Sequence, residues 1–389
     1  MKGIAQVIYY ITYGTFSGVE EYALEASPAA NQKGQYLIEK LDGTCEAYEV
    51  ISLSETVKTT LCVLPIKTVN CLEYGTYTVW TGFGKPNKII RRLHYYFRRG
   101  QLKRFLSTLG EKDTVIAYHS LQTADIFFAY KRKNNFKFIL ELEEIYQDVV
   151  NCGQKKAAWE RKVITAADGY ILATEALSKE IPAERPYIVI NGTYHSEPER
   201  DVGFADGKIH CVYAGTFDPT KGGAAAAAAA AEFLPEKYHV HILGFGTEEQ
   251  KKQLQGLIAT VQKKTKCTLT YDGLKSGEEY IRFLQSCQIG LCTQIPDARY
   301  TETSFPSKVL VYLANGLRVL SVRIPAVENS EVGGILYYYD TQSPQEIANA
   351  IMNIPMKEDY DSRQLLNQLD KDCERNLKRL LEKIDDESD

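Results

Sequence analysis

Short apolar runs of strand length recur along the chain, separated by stretches in which apolar residues return every three or four positions. VIYYITYG (7–14), TVIAYHS (114–120), FKFILELEEIY (136–146), GYILATE (169–175) and YIVINGTY (187–194) form a first series. IHCVYAG (209–215), HVHILGFG (239–246), CTLTYDG (267–273), IGLCTQ (289–294), LRVLSV (317–322) and ILYYYD (335–340) form a second. Such runs suit strands covered on both faces, and their alternation with helical stretches predicts α/β architecture with parallel sheets. The polar stretch HSEPERDVGFADGK (195–208) separates the series and predicts a first domain over 1–200 and a second over 201–365. Leucines at helical spacing among charges predict a closing amphipathic helix over 366–389. The Thr-, Tyr-, Cys- and Val-rich region 44–82 predicts extra strands or a hairpin. The eight alanines from Ala224 to Ala231 predict a helix packed closely on a sheet.

Composition narrows the class. A chain of 389 residues exceeds what one core usually serves, which agrees with two domains. A formal charge of −4 excludes a general nucleic-acid binder, for which a strongly basic domain is needed. The first apolar run is too short for a membrane span and lacks a signal-peptide cleavage pattern, so it predicts a buried strand in a cytoplasmic protein. Nine scattered cysteines, with no CxxC and no His-paired spacing, predict reduced thiols and no structural zinc. Against the acidic total, Lys85–Leu109 holds eight Lys or Arg and no acidic residue, interleaved with Ile89, Ile90, Leu93, Tyr96 and Phe97. Its pattern predicts either a solvated helix face or contact of Lys85–Arg104 with an anionic membrane surface.

Candidate chemistry gathers at glycines and lysines. SFPSKVLVYLANGLRVLSVRIPAV (304–327) reads as a turn, an apolar helix stopped at Gly316, and a strand, with Ser307 and Lys308 at the helix start, where an anion is favoured. VYAGTFDPTKGGAAAA repeats the theme: a strand ends at Gly215 and Thr216, and Lys221, Gly222 and Gly223 open a helix, a cradle for a diphosphate. Gly244 and Gly246, at another strand end, let backbone amides approach a ligand. In the first half, GTFSGVEEYALEAS places Gly14 and Gly18 after a strand, then Val19, Tyr22, Ala23 and Ala26 as one helical face. His119 ends a strand, a position open to the crevice of a doubly wound sheet. Glu141, Glu143 and Glu144 lie at another strand end, and Asn191–Gly192 forms a turn suited to a hinge.

Together these segments resemble retaining, family-4-type glycosyltransferases of the GT-B fold, two Rossmann-like doubly wound domains with a cleft between them. The resemblance covers nearly the whole chain. It implies transfer of a sugar from a nucleotide-diphosphate sugar to a glycan or lipid-linked acceptor, in bacterial surface polysaccharide synthesis, with no cofactor and no metal. Lys221 and Lys308 would hold the diphosphate, together with Gly14, Gly18, Gly215, Thr216, Gly222, Gly244, Gly246 and Ser307. His119 would bond a sugar hydroxyl or stabilise charge, and Glu143 and Glu144 would meet the acceptor. The segment 270–292 resembles the lining of the base pocket, and the last helix would return onto the first domain. The sequence departs from the pattern at Thr216, where an arginine is usual, and at Thr303 and Val311, where glutamates are usual; Glu302 adjoins the first of these. The departures keep open a catalytically silent GT-B subunit that binds a glycan or a partner enzyme, as well as a two-domain nucleotide-sugar epimerase.

Overall fold

A computed structural model describes residues 7–146, 153–296 and 304–386. The chain divides into two compact units, one of residues 1–193 with 372–389 and the other of residues 194–371.

The first unit is built on an eight-stranded sheet of order β10-β9-β8-β7-β1-β2-β5-β4. Its strands are β1 (Ile8–Thr12), β2 (Tyr48–Ser52), β4 (Lys67–Cys71), β5 (Gly75–Val79), β7 (Thr114–Tyr118), β8 (Lys137–Leu142), β9 (Gly169–Leu172) and β10 (Tyr187–Val189). All neighbours pair in parallel except β4 with β5. The central strands are apolar on both faces: Val115, Ile116, Ala117, Phe138 and Ile139 are fully buried. Only β4 alternates half-buried with exposed residues, as an edge strand does. β3 (Val63–Leu64) and β6 (Gly82–Phe83) form a separate antiparallel pair, so region 44–82 supplies a core strand, a hairpin and a small ladder.

The helix expected from Val19 does not form. Glu20–Tyr22 make one 3-10 turn, Ala23 takes the left-handed conformation (φ 46°), and the helix starts at Pro28. Proline disfavours helical backbone at Ser27, which is extended (ψ 128°), and itself suits a first turn.

The second unit is a six-stranded parallel sheet, β13-β12-β11-β14-β15-β16. The strands are β11 (Ile209–Thr216), β12 (Tyr238–Phe245), β13 (Thr268–Gly273), β14 (Ile289–Cys292), β15 (Arg318–Val322) and β16 (Tyr337–Tyr339). The alanine run folds as the helix Gly223–Ala230, with Ala224, Ala226, Ala227, Ala228 and Ala230 buried. The boundary falls between residues 193 and 194 rather than at 200, because the polar stretch that follows is bonded to the second unit. Tyr194 is buried, Glu197 N–H donates to Ala314 O, and Arg200 forms a two-pronged pair with Glu278 at 2.7 and 2.8 Å. At the other end the helix Ser362–Asp386 changes unit at residue 371, not 365. Its last turns serve the first unit: Lys137 pairs with Asp385 at 2.9 Å, and Ile384 and Leu380 occupy the space beside Gly169.

Gly244 marks the tightest backbone approach in this sheet. It pairs with Gly215 across β11 and β12 at φ +139°, and a Cβ there would lie 1.7 Å from Gly215 O. Backbone cannot swing aside as a side chain does, so Gly244→Ala is expected to destabilise the fold by roughly 2–4 kcal/mol. Thermal unfolding checks this, and a Tm within a degree of the parent would refute it.

Candidate functional site

In the second unit the expected donor residues converge at the carboxyl ends of β11, β12 and β14. Helix Lys308–Ala314 is fixed by Tyr312, which is fully buried and accepts the Ala214 N–H at 2.8 Å. Gly290, lacking a Cβ, makes room for that ring. One turn earlier Lys308 therefore lies along Gly215: a Cβ at 215 would sit 2.3 Å from Lys308 Cε and 2.8 Å from Nζ. The ammonium lies 5.2 Å from the centre of the Tyr213 ring. It makes no ion pair and no hydrogen bond among the described residues. Burial lowers its pKa, and the positive charge of Lys221 lowers it further.

Lys221 ends a turn organised by Asp218, whose carboxylate accepts from Thr220 N–H (2.9 Å) and Thr220 Oγ1 (2.7 Å). Gly222 is left-handed (φ 65°), and Ala226 donates the first helical bond, to Gly222 O. The amides of Gly223, Ala224 and Ala225 thus precede the first bonded turn. The loop after β14 grips this corner, with Ile295 N–H on Lys221 O (3.0 Å) and Thr293 Oγ1 on Gly223 O (2.7 Å). Two lysines with no carboxylate at ion-pair distance among the described residues, beside a helix start, make a corner where an anion would be favoured. Gly215, Thr216, Gly222 and Gly244 border it. Gly246 lies farther along, against Phe217 and Gln250. Ser307 is exposed at the start of the Lys308 helix. Val311 is half-buried on that helix; Glu302 and Thr303 lie outside the described residues.

The first unit places its candidates differently. Gly14 O accepts from Ser52 Oγ (2.7 Å), Ser54 Oγ (3.3 Å) and Tyr77 OH (3.3 Å), so the loop is anchored downward into the sheet. Gly18 is left-handed (φ +91°) beside Val69. His119 is not open: it is 1% exposed, its Nε2 lies 2.9 Å from Glu160 Oε1, and its ring packs on Tyr146. The same carboxylate oxygen of Glu160 accepts the Tyr146 N–H at 2.8 Å, and His119 Nδ1 is buried without a partner. The strand end does carry His119 to the sheet margin, but the helix Gln154–Ala166, which holds Glu160, covers it.

Glu143 is committed to Lys33 in an ion pair, and Glu144 is half-buried. Glu141 is fully buried and accepts from Tyr10 OH at 2.9 Å; burial, then repulsion from Glu143, pushes its pKa up to about 7. None of these glutamates lines the cavity beside the first turns of helix Lys88–Leu106. That cavity, of about 650 Å³, is bordered by Lys88, Arg91, Arg92 and Lys156 against Glu25 and Glu55. The Glu55 carboxylate is held down to about 2, first by His94 and then by Lys85 (2.6 Å).

The basic segment forms the helix Lys88–Leu106, and three of its eight charges are engaged internally. Arg98 is buried and donates to the carbonyls of Ser52, Ser54 and Trp80; Arg99 pairs with Asp125, and Lys85 with Glu55. Ile89, Leu93, Tyr96 and Phe97 are exposed along one stripe. No described helix is long and apolar enough to cross a membrane. Sequence reading missed a third cluster, His210, His239 and His241, the one group of described residues with metal-ligand spacing. The signal was present: His239-Val-His241 on a strand has the period of two that puts both rings on one face.

No family model and no curated protein sequence matches the chain. Solved structures do. Sucrose-phosphate synthase from Thermosynechococcus elongatus superposes with a TM-score of 0.67 at 14% identity, over 97% of this chain and 99% of that one. An α,α-trehalose 6-phosphate synthase from Burkholderia multivorans gives 0.65 at 10%, over 98% and 96%. HepE of Anabaena, solved with UDP, gives 0.60 at 10%, over 94% and 95%. This chain has the GT-B fold. At these identities the likeness fixes GT-B architecture for both units and nothing finer.

Proposed function

We propose that this GT-B protein is a glycosyltransferase that binds a nucleoside-diphosphate sugar in its second unit. The observation that carries the reading is the half-buried Lys308 ammonium, set against Gly215 with no ion-pair partner among the described residues and next to Lys221 and the start of helix Gly223–Ala230. A diphosphate supplies the missing negative charge. When the sugar–phosphate bond breaks, charge grows on the departing nucleotide, and two ammonium groups beside it stabilise it more in the transition state than in the ground state. The reading needs no divalent ion at the diphosphate, and it takes retention of configuration from the family-4 resemblance. HepE was solved with UDP, which makes uracil the first base to try.

The acceptor belongs to the first unit in this reading. Four basic side chains around the 650 Å³ cavity, against two acidic ones, favour an acceptor that carries phosphate or diphosphate, as a lipid-linked sugar does. The exposed stripe Ile89, Leu93, Tyr96 and Phe97, with Arg92, Lys103 and Arg104 beside it, suits peripheral docking on an anionic bilayer. Such docking places the enzyme at the inner face of a membrane, in surface polysaccharide synthesis. Each basic residue near the surface contributes about 1 kcal/mol, so Lys103→Glu with Arg104→Glu is expected to weaken binding to phosphatidylglycerol vesicles at least about 10-fold. Equal sedimentation with neutral and anionic vesicles would remove the membrane from the proposal.

Calorimetric titration with UDP, GDP and dTDP tests the donor site. One nucleotide is expected to bind at one per chain, with affinity unchanged by added Mg²⁺. Binding of none of the three would turn the reading to a silent GT-B subunit, which Val311 in a usual glutamate position already favours.

A further inference from the structure

The histidine cluster lies toward the amino ends of β11 and β12, away from the anion site: His210 is five residues before Gly215 on β11, about 16 Å along a strand, and His241 is three residues before Gly244 on β12. His210 and His241 are buried, and His239 is half-buried. Phe204 stacks over His210 at 4.0 Å and His241 at 5.1 Å, and Phe283 meets His241 edge-on at 5.1 Å.

Each ring has one nitrogen spoken for. His210 Nε2 lies 2.8 Å from Asp206 Oδ1, and His241 Nδ1 lies 3.1 Å from Asp272 Oδ2. Thr270 Oγ1 is 2.7 Å from the same Asp272 oxygen, so its single proton goes to the carboxylate and its lone pairs receive His239 Nε2–H at 3.0 Å. Carboxylates accept and cannot donate, so they fix the tautomers: the protons sit on His210 Nε2, His241 Nδ1 and His239 Nε2. The inner nitrogens, His210 Nδ1 and His241 Nε2, then face each other at 2.9 Å as two lone pairs. Thr270 Oγ1 also lies 3.2 Å from His241 Nδ1 and shares its proton with Asp272 in this arrangement, and a pair of facing lone pairs favours a cation between them, either one shared proton or a metal ion.

We propose that these three histidines form a site for a divalent transition metal such as zinc, with Asp206 and Asp272 orienting the ligands. One nitrogen from each ring lies within 4.8 Å of those of the other two. Two imidazoles on a tetrahedral zinc, each about 2.0–2.1 Å from it, hold their nitrogens about 3.3 Å apart, so the inner pair needs to open by only a few tenths of an ångström. His239, stacked on His241 at 3.8 Å, turns to complete the set. A carboxylate on the far nitrogen of a ligand histidine raises its basicity and holds its ring. Imidazole donors suit Zn²⁺, Ni²⁺ and Cu²⁺ over Mg²⁺ or Ca²⁺. The site ties β11 to β12 and is separate from the anion site, so its role is to brace the sheet.

The test uses the full chain, free of any affinity tag, titrated with Zn²⁺ alone and with Co²⁺ alone. One equivalent of Zn²⁺ is expected per chain, with a rise in Tm and visible absorption from the Co²⁺ form. His239→Gln, at the half-exposed position, should abolish tight binding. Asp206→Asn keeps all three ligands but loses the tautomer lock, and affinity is expected to fall 10- to 100-fold. Absence of stoichiometric Zn²⁺, or binding equal in the parent and His239→Gln, would overturn the proposal and assign the inner pair a shared proton.

Discussion

Lys308→Ala is expected to weaken nucleoside-diphosphate binding roughly 10- to 150-fold while making the free protein more stable, not less. The two effects share one cause. The side chain is half-buried, with no ion-pair partner among the described residues and a second positive charge nearby, so partial desolvation disfavours its charged form. Removing it relieves that cost and also removes the group a diphosphate would meet. Gly215→Ala reproduces the binding loss with the lysine still in the chain. Its methyl would collide with Lys308 Cε and Nζ, the far end of a flexible side chain, which moves aside at little cost to the fold. Calorimetry with UDP and thermal unfolding of the three proteins check this. Parent-like affinity in Lys308→Ala would remove the lysine from the donor site, and loss of both affinity and stability would show that it serves the fold.

Glu141→Gln is expected to raise stability by an amount that grows with pH. The folded carboxyl keeps its proton to about pH 7, whereas an unfolded glutamate releases it near 4.5. A group whose pKa is raised by folding contributes its full stability below the unfolded value and loses it as pH rises through the folded value. The parent therefore pays on the order of 3 kcal/mol at pH 8 that it does not pay at pH 4.5, reduced to the extent that Lys33 shares in neutralising Glu141. Glutamine stays neutral throughout, and its amide oxygen still accepts from Tyr10 OH. The difference in Tm between variant and parent should be small at pH 5 and several degrees at pH 8. A difference independent of pH would contradict the buried-carboxyl account.

The strands were legible because a parallel sheet covered on both faces writes itself as uninterrupted apolar runs, and the glycine–lysine corners could be read because cradles need bare backbone at fixed offsets. What could not be read depends on partners distant in the chain. Nothing local to Arg98 reveals that it ends on the carbonyls of Ser52, Ser54 and Trp80, nor does His119 announce Glu160, 41 residues on. The apolar face Val19–Ala26 has helical spacing but buries Val19 and Tyr22 from an irregular loop, since Pro28 sets where a helix can begin. The histidines escaped because His210 joins His239 and His241 only when β11 and β12 pair.

The turns of the last helix that belong to the first unit reverse the order in which the two halves complete. During synthesis the second unit has all its residues once Lys371 has emerged, and it can close its sheet. The first unit, made earlier, still lacks Leu380 and Ile384, which fill the hollow at Gly169, and Asp385, which pairs with Lys137. Its final contacts join residues more than 200 positions apart, which makes them slow to form. Until residues 372–386 arrive, the older half carries an uncovered apolar seam, and that interval is when the protein is most exposed to aggregation.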